Sequence, residues 1–139
     1  MRIENELSKL EPAMAALAQY GQTNGIDQDI RFDLCLALEE ITTNIIKYAF
    51  DDDRNHFITV ALSVDSESIT MEIRDNGKPF NPIENAAPDF KRSFQEKSRG
   101  GVGLYLVTQL MDETAYSREY GENIFVMKKS TLKVPRSFC

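Results

Sequence analysis

The first candidates for chemistry in this sequence are Glu40 and Asn44, two polar residues in an otherwise apolar helical pattern. Residues four apart lie on one face of a helix with their side chains about 5–6 Å apart, and Lys47 continues the same edge. A carboxylate can serve as a general base, and an amide oxygen can bind Mg²⁺ without adding negative charge. The same spacing is common on ordinary solvated helix faces, so both interpretations stay open for the pair alone. Glu39 points about 100° away around the helix and is expected to be solvated or structural.

The second candidate is the segment RDNGKPF, which starts at Arg74 directly after an alternating apolar run. Asn-Gly followed by proline is typical of a turn. The functional interpretation is that Asp75, at the end of a strand, presents a carboxylate acceptor to a ligand's amino group. Gly77 would let the backbone approach that ligand closely, and Phe80 closes the segment.

The third candidate is a glycine-rich run that leads into an apolar helical segment. Free backbone N–H groups at a helix N-terminus suit phosphate oxygens, and glycine removes the Cβ that would block contact. A third glycine and a directly preceding strand are missing, which excludes the dinucleotide fingerprint, and no Gly-Lys-Ser/Thr follows, which excludes a P-loop. The residues of this candidate phosphate site are Arg99, Gly100, Gly101, Val102, Gly103 and Leu104.

Periodicity predicts the elements that must position these residues. Helical spacing of apolar residues predicts one helix over residues 8–20, a longer one from a cap at Asp27 or Asp29 to about Ala49, and a third over residues 104–111. Alternation by twos predicts two β-hairpins, and an irregular stretch covers residues 76–103. The tail after Lys129 either extends the last strand or frays. We therefore predict an α+β fold in a single domain, 1–139: a two-layer sandwich of a mixed, mostly antiparallel sheet with helices on one face.

Composition narrows the function classes. Sixteen basic and 22 acidic residues give a net charge of −6, and without a local basic patch this argues against direct nucleic-acid binding. Cys35 and Cys139 cannot form a disulfide scaffold, so reduced thiols are expected. No apolar stretch is long enough to span a bilayer, and the N-terminus lacks a signal-peptide core. These features predict a cytoplasmic protein with no membrane partner.

Taken together, the order and spacing of LEEITTN, DNGKPF, GGVGLYLV and LMDE resemble the Bergerat ATPases, and most closely the bacterial anti-sigma-factor serine/threonine kinases. The resemblance covers about residues 34–127. It implies that Glu40 is the general base, that Asn44 supplies an oxygen to Mg²⁺ and that Asp75 holds the adenine amino group of ATP. The glycine run would bind the phosphates, and residues 81–99 would form a lid over ATP. Lys47 would steady a phosphate or lie at the surface.

The resemblance also implies partners, namely a sigma factor, an antagonist protein that is phosphorylated on serine, and a second copy of the chain. Two alternatives remain: a module that binds ATP and sequesters a partner without phosphotransfer, and the detached ATPase half of a two-component histidine kinase. His56, the one histidine, follows an acidic turn, which argues against autophosphorylation. Many Bergerat ATPases have a threonine in the last strands near adenine, whereas residues 121–125 contain none.

Overall fold

The structure, a computed structural model, describes residues 1–84, 86 and 101–132, without the side chains of 101 and 102. In this part of the chain a 3₁₀ turn, Leu7–Lys9, precedes the first of three α-helices, which are α1 (Leu10–Thr23), α2 (Gln28–Tyr48) and α3 (Gly101–Leu110). The strands are β1 (Arg2–Glu4), β2 (Phe57–Val64), β3 (Ser68–Asp75), β4 (Glu113–Glu119) and β5 (Glu122–Ser130).

Helix α2 is the central element of the helical layer. Asp27 occupies its N-cap position, and the backbone N–H of Arg31 closes the first turn on the Asp27 carbonyl at 2.9 Å. Its buried apolar residues recur at helical spacing and face the sheet: Leu34, Ala37, Leu38, Ile41 and Ile45. The same pattern that makes the helix amphipathic therefore turns the opposite edge, with Glu39 and Lys47, toward solvent.

The five strands form one sheet in the order β1-β2-β3-β5-β4, and every pairing among them is antiparallel. Alternate residues of β2, β3 and β5 point into a single core shared with the three helices. The β3–β5 register pairs Ile73 with Phe125 and Asp75 with Asn123, so two polar residues end the buried row. The predicted α+β two-layer fold is confirmed, and the described strands contain no parallel pair.

The structure differs from the predicted elements mainly at the ends. Helix α1 runs from Leu10 to Thr23 because Gly21 stays helical and the chain leaves the helix at Gly25, which has φ of +71°. Strand β1 was not predicted, since only Ile3 of its three residues is buried and the strand exists through pairing with β2. Helix α3 begins three residues earlier than predicted, and β5 continues to Ser130.

Candidate functional site

A pocket opens between the second half of α2, the start of α3 and the ends of β3, β4 and β5. Its cavity volume is about 150 Å³. Four of the predicted binding residues line it, Asn44, Asp75, Phe80 and Leu104. Much of the remaining wall is apolar or aromatic and includes Ile41, Ile45, Tyr48, Ile73, Tyr116 and Phe125. A flat apolar ligand with a few polar groups fits this composition.

Asp75 is a buried carboxylate with one oxygen left for a ligand. Its side chain is 4% exposed, and Oδ1 accepts hydrogen bonds from the Gly77 N–H (2.9 Å) and from Asn123 Nδ2 (3.0 Å). Among the described residues, no hydrogen bond reaches Oδ2. Burial raises the pKa of Asp75, against the opposing effect of the hydrogen bonds from Asn123 and Gly77. Oδ2 can therefore accept a hydrogen bond from an amino group in the pocket.

Asn44 has a buried oxygen that finds no hydrogen-bond partner in the described part of the chain. Its Nδ2 donates to the Glu40 carbonyl one turn earlier at 2.8 Å, which determines which end of the amide is oxygen. Oδ1 is buried, and none of the residues that the structure describes forms a hydrogen bond with it. Leaving a buried acceptor unpaired costs about 1–3 kcal/mol, so a donor or a cation at Oδ1 would remove that cost.

This oxygen also bears on the predicted Mg²⁺. The ion often keeps several waters and takes one or two protein oxygens together with substrate phosphates. Asn44 Oδ1 fits such a partial ligand set. No cluster of three or more histidine, cysteine or acidic residues able to hold a metal occurs within residues 1–84, 86 and 101–132. The described residues thus fit an ion that arrives with a nucleotide better than a resident metal.

Glu40 lies against the first turn of α3. It is half-buried, whereas Glu39 is exposed, as their positions around the helix predicted. Burial raises the pKa of Glu40, the negative charge of Glu39 adds to this, and Lys47 opposes it. A Cβ built on Gly103 would overlap the carboxylate and come within 2.5 Å of Glu40 Cδ. Gly103 therefore leaves the space in which the Glu40 carboxylate lies beside the helix N-terminus.

Gly77 has a different neighbour from the one that the sequence suggested. A Cβ there would lie 2.5 Å from Ala49 Cβ and 2.6 Å from the Ala49 carbonyl oxygen. The next residue, Lys78, donates its N–H to that same carbonyl at 2.9 Å. The close approach at Gly77 thus packs the turn against the end of α2, and Gly77 does not line the pocket.

The structure says less about the remaining predicted site residues. Gly101, Val102 and Gly103 form the first turn of α3, so the helix begins within the glycine run and not after it at Leu104 as predicted. Lys47 is exposed and outside the pocket lining. Arg99 and Gly100 lie outside the described residues, as does most of the predicted lid, 81–99.

Sequence reasoning missed three residues on the β4–β5 hairpin. Asn123 contacts Asp75 directly, and Tyr116 and Arg118 both donate to Asn123 Oδ1. The sequence did contain a signal for Asn123, because alternation along the strand places it on the same face as the buried residues Phe125 and Met127. A polar residue on the apolar face of a strand indicates a specific partner.

Comparisons with known proteins bear on the family and the fold of this chain. The family model described as histidine kinase-like ATPase domain matches residues 3–129. The chain is similar to the serine/threonine-protein kinase BtrW of Bordetella bronchiseptica, with 31% identity over 68% of this chain and 66% of that protein, just under two thirds of its length. It is also similar to the anti-sigma F factor of Geobacillus kaustophilus, with 23% identity over 99% and 92% of the two chains.

Similarity to solved structures supports the fold. The histidine kinase domain from the Erythrobacter litoralis EL346 blue-light activated histidine kinase superposes with a TM-score of 0.56 at 18% identity. The match covers 89% of this chain and 60% of that one. At this identity the likeness concerns the arrangement of helices and strands.

Proposed function

Because the chain belongs to the histidine kinase-like ATPase domain family, we propose that it is an ATP-dependent protein kinase acting as an anti-sigma regulatory factor. In this proposal it transfers the γ-phosphate of ATP to a serine of an antagonist protein. The observation that carries the nucleotide site is that buried Asp75 lines an apolar pocket and that no hydrogen bond from the described residues reaches its Oδ2. The similarity to proteins named serine/threonine-protein kinase and anti-sigma F factor supports the reaction and the regulatory role.

The nucleotide is held at two ends in this proposal. The adenine lies against Ile45, Ile73 and Phe125 and donates its amino group to Asp75 Oδ2. The phosphates lie toward the first turn of α3, where backbone N–H groups without an intrahelical partner attract anions. Mg²⁺, held by Asn44 Oδ1, would neutralise part of the phosphate charge. Phe80 and Leu104 contribute to the pocket wall, and Lys47, Arg99 and Gly100 remain proposed phosphate neighbours.

Glu40 is the proposed general base. Its carboxylate lies beside the N-terminus of α3, where the phosphates are expected, and its raised pKa makes it a stronger base than an exposed glutamate. It would accept the proton of the serine hydroxyl as that oxygen attacks phosphorus. In phosphoryl transfer, positioning and charge neutralisation contribute more than the base, so Glu40 also orients the hydroxyl.

The alternative is a module that binds ATP and sequesters a partner without phosphotransfer. The placement of Glu40 favours the kinase, because a pure binding module needs no carboxylate at the phosphate end of its site. Transfer to a histidine of another chain is a further alternative. The described His56 is held by Asp52 (2.7 Å) and stacked on Phe50, outside the pocket lining.

The proposed partners are a sigma factor, the antagonist protein and a second copy of the chain, in the cytoplasm. The net charge of −6 supports protein rather than nucleic-acid partners. Within the described residues, none of the helices has the length and apolar character needed to cross a membrane.

The test uses γ-labelled ATP, Mg²⁺ and purified candidate antagonist and sigma proteins. We expect label on a serine of the antagonist and stoichiometric ADP. ATP should also raise the melting temperature, and Asp75→Asn should remove that rise by replacing an acceptor with an amide. ATP binding without labelled protein would favour the sequestering module. A melting temperature that ATP leaves unchanged would refute the nucleotide site.

A further inference from the structure

The side-chain amide of Asn123 is fully engaged by protein groups at the end of the pocket. Its Nδ2 donates to Asp75 Oδ1 (3.0 Å) and to the Lys78 carbonyl (2.8 Å). Its Oδ1 accepts from Tyr116 Oη (2.5 Å), Arg118 Nη1 (3.0 Å) and the Phe80 N–H (3.3 Å). Asn123 is 4% exposed, so water does not compete for these bonds. It connects β3, the turn 76–80, β4 and β5.

These contacts allow one orientation of the amide. Two acceptors face its nitrogen and three donors face its oxygen, so a flipped amide would set its N–H groups against the N–H groups of Arg118 and Phe80 and its oxygen against two oxygens. Arg118 adds to the restraint because Nη1 also donates to the Gly77 carbonyl at 2.9 Å. The Asn123 N–H is therefore directed at Asp75 whether or not a ligand is present.

The fixed N–H determines what Asp75 can offer a ligand. Asn123 and the Gly77 N–H both bind Oδ1, which restrains the carboxylate and leaves Oδ2 as the oxygen that neither of these hydrogen bonds uses. An acceptor in this position binds a base that carries an amino group. A base with a carbonyl at the same place would bring oxygen against oxygen.

We infer that Asn123, held by Tyr116 and Arg118, is a positioning residue that makes the pocket selective for an amino-bearing purine. The inference rests on the proposed nucleotide site and deepens it. It assigns the role to an asparagine on β5 in a stretch that lacks the threonine expected from the resemblance. Asn123 acts through Asp75, since its own donors and acceptors are already used.

The first test compares wild type with Asn123→Leu, which keeps the approximate shape and removes all five hydrogen bonds. Calorimetry measures affinity for ATP, for inosine triphosphate and for purine riboside triphosphate, which lacks the amino group. We expect ATP affinity to fall about tenfold, equivalent to about 1.4 kcal/mol, and purine riboside triphosphate affinity to change little. Tyr116→Phe, which removes one donor to Oδ1, is the matched control and should give a smaller change of the same sign.

The outcomes separate the inference from the proposed function. Wild type that prefers ATP over inosine triphosphate, with unchanged selectivity in Asn123→Leu, overturns the role of Asn123 and leaves the nucleotide site standing. Wild type that binds all three nucleotides equally overturns the adenine contact itself.

A second variant covers the case in which Asn123→Leu does not fold. Asn123→Asp keeps the acceptor for Tyr116 and Arg118 and replaces the N–H with a carboxyl oxygen. At low pH the introduced carboxyl and Asp75 share a proton, which takes the place of the amide N–H. ATP affinity of this variant should therefore fall as pH rises through the titration of the two carboxyls. In wild type, by contrast, ATP affinity should fall as pH drops, because Asp75 becomes protonated in acid. Parallel pH profiles would overturn the inference.

Discussion

At the scale of single residues, Asp75, Glu40 and Asn44 share one property: burial places each of their polar groups at an energetic cost. Burial raises the pKa of both carboxyls, and the Asn44 oxygen lacks a hydrogen-bond partner among the described residues. Proteins tolerate such local costs mainly at functional sites, where a ligand removes them. The three residues therefore form a group because a bound ligand would lower the cost of burying each of them.

Changing Glu40 should separate binding from catalysis. We expect Glu40→Gln to keep ATP binding and to lower phosphotransfer by about 10²–10⁴-fold, the usual contribution of a general base. Glu39→Gln is the matched control, since Glu39 is exposed on the other side of the helix. Rates from γ-labelled ATP and affinities from calorimetry check both. Equal activity of Glu40→Gln and wild type would exclude the base role.

Changing Asn44 should alter the response to Mg²⁺. Asn44→Ala removes the buried side-chain oxygen proposed to hold the ion, so Mg²⁺ should strengthen nucleotide binding much less in the variant than in wild type. Nucleotide titrations with Mg²⁺ and with a chelator give the two affinities. An unchanged ratio between them would mean that Asn44 does not hold the ion. The melting temperature without nucleotide reports separately on the lost hydrogen bond to the Glu40 carbonyl.

At the scale of elements, two glycines show how helices and turns approach the site. Gly77 lets the turn after β3 pack against the end of α2, and Gly103 lets α3 approach Glu40. The obstacles differ in kind. At Gly77 a Cβ meets backbone and Cβ atoms of Ala49, which cannot move away without shifting a helix end. At Gly103 a Cβ meets the end of the Glu40 side chain, which can move away.

Gly77→Ala should destabilise the fold. The overlap with Ala49 forces the turn and the helix end apart, and overpacking of this kind costs about 1–3 kcal/mol. Ala49→Gly in the same chain removes one of the two clashes and should restore part of the loss. Urea denaturation of the single and double variants measures both effects. Strict additivity of the two changes would show that the residues do not interact.

Gly103→Ala should impair function while largely sparing stability. The new methyl group would displace the Glu40 carboxylate, so phosphotransfer should fall toward the level of Glu40→Gln while the melting temperature stays near that of wild type. Combining the two substitutions tests this reasoning, since Gly103→Ala should have little further effect on rate once Glu40 is changed. Full activity of Gly103→Ala would place the working position of Glu40 elsewhere.

At the scale of the whole molecule, the site lowers the stability of the fold that carries it. Burial raises the pKa of Asp75 in the folded state above its ordinary value of 3.8, which applies to the unfolded state. Between the ordinary pKa and the raised pKa, the folded protein therefore binds more protons than the unfolded one. The free energy of unfolding then falls as pH rises through that window, and the cost is fully present above it.

Asp75→Asn should remove this cost. Without nucleotide, the variant should unfold at the same temperature as wild type or higher near neutral pH, and the difference should shrink as pH falls toward 3.8, the ordinary aspartate pKa. The same variant loses the stabilisation by ATP. Thermal unfolding across pH, with and without ATP, checks both statements. Hydrogen bonds lower the pKa of the exposed Asp52 and Asp65. These residues change the pH dependence of stability with the opposite sign, and they do so equally in wild type and variant. A lower melting temperature for the variant at neutral pH would contradict the burial argument.

The sequence by itself determined the local features of this protein. The spacing of apolar residues and the positions of turn residues predicted helix α2, both hairpins and the helix after the glycine run. The order of the motifs indicated the family. The opposite exposures of Glu39 and Glu40 follow from helical geometry alone. Each of these properties depends on residues close together in the chain, where side-chain spacing is set by the element itself.

Tertiary structure decided the contacts between distant segments. Strand β1 depends on pairing with residues more than fifty positions away, and the meeting of Asp75 with Asn123 depends on the β3–β5 register. The neighbour of Gly77 is Ala49, just after the end of α2, and that of Gly103 is Glu40 within α2, so the physical reason for either glycine cannot be read from its own motif. Antiparallel pairing and helix packing bring these groups together, and which residues meet depends on the whole core closing in one register.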